Sequence, residues 1–390
     1  MFSHRTSWNL GTNRYTEALD AHRRAGRELL DLTASNPTTV GLQYHEDNLL
    51  HALTSREAVT YEPAPKGLLS AREAVAAYYA EKGSAISPDD LTLTTSTSEA
   101  YSFIFRLLCD PDDAVLVPTP SYPLFDFLAD LNDVKLVPYQ LIYDHGWQID
   151  FHSLRQAIDG AKMRCRAVLV VHPNNPTGSY IKPHELQELN QVCSANQLAV
   201  IADEVFLDYS FGSVPLTFAS NHDALTFTLS GLSKISALPQ MKVAWIATTG
   251  PEPIKSQALA RLEVIADTYL SMNAPIQHAV QTMLAERHSI QIQLLGRIKS
   301  NLALLDEKLA RQKLCERLAV EGGWYGVLRV PILGSDEDLA ISLLHDAGVL
   351  LQPGHFYNFP TDGFLIASLI TPTREFANGI DRALTYVAQR

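Results

Sequence analysis

Cysteine is scarce in this chain. The four cysteines, Cys109, Cys165, Cys193 and Cys315, are far apart in 390 residues and form no CxxC pair. That spacing offers neither a disulfide framework nor a metal site, and it predicts buried thiols in a reducing compartment. Positive charge is also in deficit: 31 Lys and Arg against 43 Asp and Glu leave a formal net charge of −12. Nucleic acid, whose phosphates need a basic face, is therefore not an expected partner. No apolar run is long enough to span a bilayer, which argues against a membrane partner. The opening stretch MFSHRTSWNLGTNRYTEALD lacks the apolar core of a signal peptide, so a cytoplasmic location is expected. Internal repeats and low-complexity tracts are missing too. What is left, 46% hydrophobic and 19% charged residues, is an ordinary globular composition in a chain long enough for two domains.

Along the chain, residues 1–45 form an arm with a short helix over 16–25 and the turn-rich Ser35-Asn36-Pro37-Thr38. A loop, Tyr61-Glu62-Pro63-Ala64-Pro65-Lys66-Gly67, precedes a helix over 70–82 whose Ala71, Val75, Ala76 and Tyr79 recur at helical spacing. Strands and helices then alternate: strands over 91–95, 114–118, 134–139, 166–173, 198–206, 226–230 and 243–249, and helices over 99–109, 123–131, 151–159 and 183–196. Strands this apolar, joined by helices, imply a mostly parallel sheet covered on both faces. After about residue 250 the pattern changes. Helices over 252–270 and 275–312, the second kinked or broken, are followed by strands over 324–331, 349–353 and 364–370, a helix over 336–346 and a last helix from Thr373. The expected architecture is α/β: a large domain over 46–275 and a smaller α+β domain over 276–390 packed with the arm.

Ligands of such sheets bind at the carboxyl ends of the strands, and polar residues gather there. Strand 91–95 leads into Thr95-Ser96-Thr97-Ser98-Glu99, small hydroxyl residues opening a helix. The free N–H groups and dipole of that helix end suit a phosphate, although any helix wants such an N-cap. Pro120-Ser121-Tyr122-Pro123 follows strand 114–118 and could present a flat ring. Asn174-Asn175-Pro176-Thr177-Gly178 follows 166–173, where a simple turn would also explain it. Asp203-Glu204 ends strand 198–206 and puts two carboxylates where unpaired charge is costly. Lys234, beside Ser233 and just after an apolar strand, is unusual if buried: desolvation lowers a lysine's pKa, and the freed amine can form a Schiff base.

A phosphate cradle, a ring, an amide, a carboxylate and a lysine together describe a site for pyridoxal 5′-phosphate. From about residue 28 onward the chain resembles the fold-type-I pyridoxal-phosphate enzymes of the class I/II aminotransferase family. The resemblance rests on NPTG at 175–178, DE at 203–204, and a lysine followed five residues later by Pro239. It implies that Lys234 carries the cofactor as a Schiff base and shuttles a proton, and that Asp203 pairs with the pyridinium nitrogen. It also implies that Asn175 donates to the ring's 3-oxygen, Tyr122 stacks on the ring, and Thr97, Ser98 and Ser233 join the cofactor set. Tyr61 would reach the phosphate in a neighbouring subunit, which makes a homodimer with shared sites. Pro120 and Pro176 match positions that are cis in the family, and metal is not involved.

Several positions depart from the family pattern. Lys242 stands where an arginine clamps the phosphate, Gln240 and Ser96 where glycines are common, and Phe206 where a tyrosine donates to the 3-oxygen. The family's substrate-carboxylate arginine aligns with Ile366, and no arginine occurs between Ala347 and Thr373. Arg329, inside an apolar strand, is the replacement expected here, unless it lies at an edge facing water. Arg14 and donors near Asn36 are further substrate-binding candidates. The expected activity is transfer of an amino group from an amino acid to a 2-oxo acid. The alternatives are a β-eliminase, racemase or cyclising synthase of the same fold, or a non-catalytic ligand-binding module.

Overall fold

The computed structural model describes residues 1–122, 125–212, 215–270, 272–331 and 334–389. The expected helix over 123–131 is seen as Phe125–Leu131, its first two positions lying outside the described residues. In chain order the strands are β1 (Leu30–Asp31), β2 (Leu91–Thr94), β3 (Ala114–Thr119), β4 (Lys135–Tyr143), β5 (Trp147–Ile149), β6 (Cys165–Val171) and β7 (Ala199–Asp203). They continue with β8 (Thr226–Gly231), β9 (Ala244–Thr249), β10 (Glu316–Arg317), β11 (Tyr325–Arg329), β12 (Val349–Leu350), β13 (Gln352–Pro353) and β14 (Phe364–Ser368).

Eight strands make the large sheet in the order β2-β9-β8-β7-β6-β3-β4-β5. The run from β8 through β4 is parallel. β9 is antiparallel to both of its neighbours, and β5 is an antiparallel edge strand. Every residue of β7, β8 and β9 is buried, as a sheet covered on both faces requires. Alternate residues of β7 feed opposite cores. Val200 and Ala202 pack with Leu116, Val168 and Leu189, whereas Ala199 and Ile201 pack with Val115, Phe227 and Leu262.

The small sheet is antiparallel, in the order β10-β11-β14-β13. The arm completes this part of the fold: β1 pairs with β12, and the Ser368 N–H donates to the Leu32 carbonyl at 2.7 Å. The single strand expected over 349–353 is two short ones. Its first half pairs with the arm and its second half with β14, and the changeover carbonyl of Leu351 accepts the Tyr15 hydroxyl at 3.0 Å. The helical run 275–312 is broken at Glu286 into Ala274–Ala285 and Arg287–Leu309. The buried Arg287 guanidinium donates back to the Leu284 carbonyl at 2.6 Å, capping the first piece. That first piece packs with Leu69–Ala80 on the large-sheet side, and the second with the C-terminal helix Thr373–Gln389. No helix among the described residues is long and apolar enough to cross a membrane.

Candidate active site

A cavity of about 340 Å³ opens where the carboxyl ends of the central strands meet the small sheet. Its floor takes Val171 from β6, Asp203 from β7, Ser233 and Lys234 after β8, and Thr97, Ser98 and Tyr101 from the helix Thr97–Leu108. Its wall takes Tyr325 from β11, Gln352 from β13, Tyr357, and Ser35 from the arm. Seven expected positions therefore share one cavity: Thr97, Ser98, Tyr122, Asn175, Asp203, Ser233 and Lys234.

Lys234 lies on a single helical turn, Leu232–Ile235, that begins at Gly231. A Cβ on Gly231 would come within 2.7 Å of the Val243 carbonyl oxygen, so only glycine lets β8 and β9 close up beneath this turn. The Tyr209 hydroxyl donates to the Lys234 carbonyl at 2.6 Å and fixes the backbone. The amine sits 4.9 Å from the Trp324 ring centroid and 5.6 Å from that of Phe206. No carboxylate among the described residues forms a salt bridge with it. Burial lowers its pKa to about 8, against the opposing pull of Asp203. About a tenth of the amine is thus free at pH 7, far more than for an ordinary lysine.

Asp203 is buried, and desolvation raises its pKa even though three partners pull the other way. The Tyr101 hydroxyl donates to Oδ2 at 2.8 Å and the Val205 N–H to Oδ1 at 3.1 Å, with Lys234 contributing charge. A protonated ring nitrogen would supply the cation that this buried carboxylate lacks. Its neighbour Glu204 is a structural residue. Fully buried, it accepts the Thr217 hydroxyl at 2.7 Å and the Phe218 N–H at 2.6 Å, and burial pushes its pKa up to about 8.

Asn175 is buried in the cavity lining, and its Oδ1 has no hydrogen-bond partner among the described residues. The Nδ2 donors of the same amide would suit the ring's 3-oxygen, an acceptor. The turn that presents it is rigid. Gly178 has φ +70°, and a Cβ there would meet the Gly322 carbonyl oxygen at 2.4 Å. At the helix end the N-cap reading is seen directly. Ser96 caps the Glu99 N–H at 3.1 Å, while Glu99 accepts the Thr95 N–H at 2.7 Å. These two bonds leave the first-turn N–H groups of Thr97 and Ser98 for an anion. The residues present therefore fit pyridoxal 5′-phosphate. Pro120 and Pro176 are cis as expected, and so is Pro173.

The other expectations fall elsewhere. Lys242 is exposed, with φ 53° at the end of the turn Pro239–Met241, and does not line the cavity. Arg329 is corrected: it lies at the far end of β11 from Tyr325, roughly 13 Å along the strand at ~3.3 Å per residue. There it is exposed and paired with Glu316 of β10 at 2.5 Å. It faces water as the alternative held, though not at a sheet edge: Arg329 is the last residue of β11, paired in register with Glu316 of β10 on one side and Phe364 of β14 on the other. Arg14 is exposed and paired with Asp338 at 2.7 Å, and Asn36 caps the N–H of Thr38 at 3.0 Å. Neither reaches the cavity, though the adjacent Ser35 does. Tyr61 is exposed and borders a separate groove of about 580 Å³ with Glu57, Met272 and His278. Phe206 packs edge-on against Trp324, with centroids 5.1 Å apart, and makes no polar contact.

Sequence reasoning missed Tyr101, Tyr325, Gln352, Tyr357 and Ser35. Tyr101 was findable, since it lies one turn after Thr97 on the same helix face. The wall residues come from separate short segments, with no local motif to mark them.

Comparison with known proteins agrees with the geometry. The sequence matches the family described as aminotransferase class I and II over residues 8–371. It is 28% identical over 374 residues to the glutamate-pyruvate aminotransferase AlaA of Haemophilus influenzae, covering 93% of this chain and 91% of that protein. It is 28% identical over 367 residues to an alanine aminotransferase of Mycobacterium tuberculosis, covering 92% and 85% of the two chains. In fold it resembles an alanine aminotransferase from Pyrococcus furiosus, with a TM-score of 0.90 over 100% of both chains at 24% identity. The chain belongs to the class I and II aminotransferase family, and it is a pyridoxal-phosphate enzyme that moves an amino group from an amino acid to a 2-oxo acid.

Proposed function

We propose that this enzyme exchanges the amino group between L-alanine and 2-oxoglutarate, with Lys234 as the residue that holds the cofactor covalently and moves the proton. The substrate pair is that in the names of similar enzymes: glutamate-pyruvate and alanine aminotransferases. The observation carrying the residue assignment is the buried amine of Lys234, its pKa lowered to about 8, in one cavity with Asp203 and the idle amide of Asn175.

The bound cofactor supplies an electron sink for the substrate's Cα. Everything else falls to the chain. Lys234, uncharged in part near neutral pH, is able to accept a proton at Nζ from the substrate's Cα and return it. Asp203, steadied by the Tyr101 hydroxyl and the Val205 N–H, would hold a proton on the ring nitrogen. Asn175 would donate to the ring oxygen, Tyr122 would pack on the ring, Ser233 flanks the lysine, and the N–H groups of Thr97 and Ser98 would hold the phosphate. Lys242 adds diffuse positive charge outside the cavity.

The reading includes a cytoplasmic homodimer in which Tyr61 of each subunit reaches the other's site. Exposed apolar side chains at Val59, Tyr61, Leu69, Tyr269 and Leu270 support an apolar contact of this kind. It also includes an arm over 1–45, a large domain over 46–275 and a small domain over 276–390. The test is a single-turnover titration with L-alanine. The cofactor absorbance should change with release of one equivalent of pyruvate per site. Release of ammonia, or racemised alanine without oxo acid, would defeat the proposal.

A further inference from the structure

The cavity has a cation problem. An amino acid brings a carboxylate into it, and among the described residues Lys234 is the only cationic side chain in the lining. Ile366 is apolar and 1% exposed, and Arg329 is spent on Glu316 at the sheet edge. The strand register shows what stands beside Ile366. β13 pairs Gln352 directly with Ile366, and β11 pairs Tyr325 with Ser368, two residues further along β14. Directly paired residues share a face, as do residues two apart, so Gln352, Ile366, Ser368 and Tyr325 form one patch. Gln352 and Tyr325 both line the cavity.

The polar groups of this patch are oriented. The Tyr357 hydroxyl donates to Oε1 of Gln352, so the acceptor half of that amide is occupied. Its Nε2 donors have no partner among the described residues and remain for a ligand. Tyr325 is buried, and its hydroxyl likewise makes no hydrogen bond with another described residue. Ser368 donates to the Ala34 carbonyl at 2.5 Å, which pins the arm so that Ser35 closes the same wall. We propose that Gln352, through Nε2, anchors the substrate's carboxylate together with the Tyr325 hydroxyl, so that neutral donors replace a guanidinium. Tyr357 is a positioning residue that sets the sense of the amide. The donor bond from Tyr357 also polarises the amide, which strengthens the Nε2 donors. This inference rests on the amino-acid reading above.

The experiment compares reconstituted holoenzyme of the parent, Gln352→Ala, Gln352→Glu and Tyr357→Phe. Half-saturation is read from the cofactor absorbance for L-alanine and for L-alaninol, the same amine without the carboxylate. For L-alanine, half-saturation should rise roughly 30-fold or more in Gln352→Glu, about tenfold in Gln352→Ala and about threefold in Tyr357→Phe. Values for L-alaninol should stay within about twofold, the limiting rate within about threefold, and the unliganded spectrum should not move. An unchanged alanine value in both Gln352 variants overturns the inference, and so does an equal rise for both ligands. If the parent responds to another amino acid but not to alanine, only the alanine assignment fails, and the variants are then compared on that amino acid and its amino alcohol.

Discussion

The floor and the wall of the cavity are built in different ways. The floor collects side chains from the ends of β6, β7 and β8 and from one helix N-terminus, each a few residues past a buried strand. Its members are charged or closely bonded: Lys234 by Tyr209, Asp203 by Tyr101 and Val205. The wall is assembled from β11, β13, the turn after it and the arm. Its polar members, Tyr325, Gln352, Tyr357 and Ser35, carry no charge. A fixed, charged floor suits one cofactor that every turnover reuses, whereas an uncharged wall suits substrates that must leave. The floor should therefore govern turnover and the wall should govern KM.

Predictions follow that separation from the largest effect to the smallest. Asp203→Asn should keep the fold and the bound cofactor but cut kcat by roughly 10²–10³-fold, because an amide cannot keep the opposing nitrogen protonated. Near-parental turnover would remove Asp203 from the floor. Tyr101→Phe deletes one donor to the buried carboxylate and raises its pKa further, since fewer groups then favour the charged form. Steady-state kinetics should show kcat lower by about tenfold with KM little changed.

The pH dependence of cofactor capture tests the lysine directly. The nucleophile is the free amine, so apoenzyme reconstitution should quicken as pH rises and level off above about 8, the lowered pKa of Lys234. A rate still climbing toward the ordinary lysine range would mean that the amine is solvated rather than buried. At the other extreme, Arg329→Ala should leave KM for the amino donor within about twofold. The Arg329–Glu316 pair is exposed, with side chains 48% and 59% accessible, so its loss should cost under about 1 kcal/mol in a denaturant melt. A large rise in KM would return Arg329 to the wall.

This division also explains what could be read in advance. The alternation of apolar strands and helices marked the large sheet, and NPTG, DE and the lysine each sit within a few residues of a strand end, so local spacing places them. The antiparallel β9, the strand pair made from 349–353 and the register of Gln352 on Ile366 are set by pairings far apart in sequence, for which no local pattern exists. Arg329 illustrates the same limit. Its surroundings, Val327, Leu328 and Val330, are apolar and buried, yet Arg329 ends β11 and stands opposite the exposed Glu316 of β10, a pairing from a distant segment that holds its side chain in water. Tyr101 could have been predicted, because it follows Thr97 by one helical turn.

The most direct test is to reduce the holoenzyme with borohydride and map the pyridoxyl label by peptide sequencing. The geometry predicts a single label on Lys234, absent in Lys234→Ala, whose thermal unfolding should match that of the parent apoenzyme. A label on Lys242, or no label on a protein that binds cofactor, would contradict it.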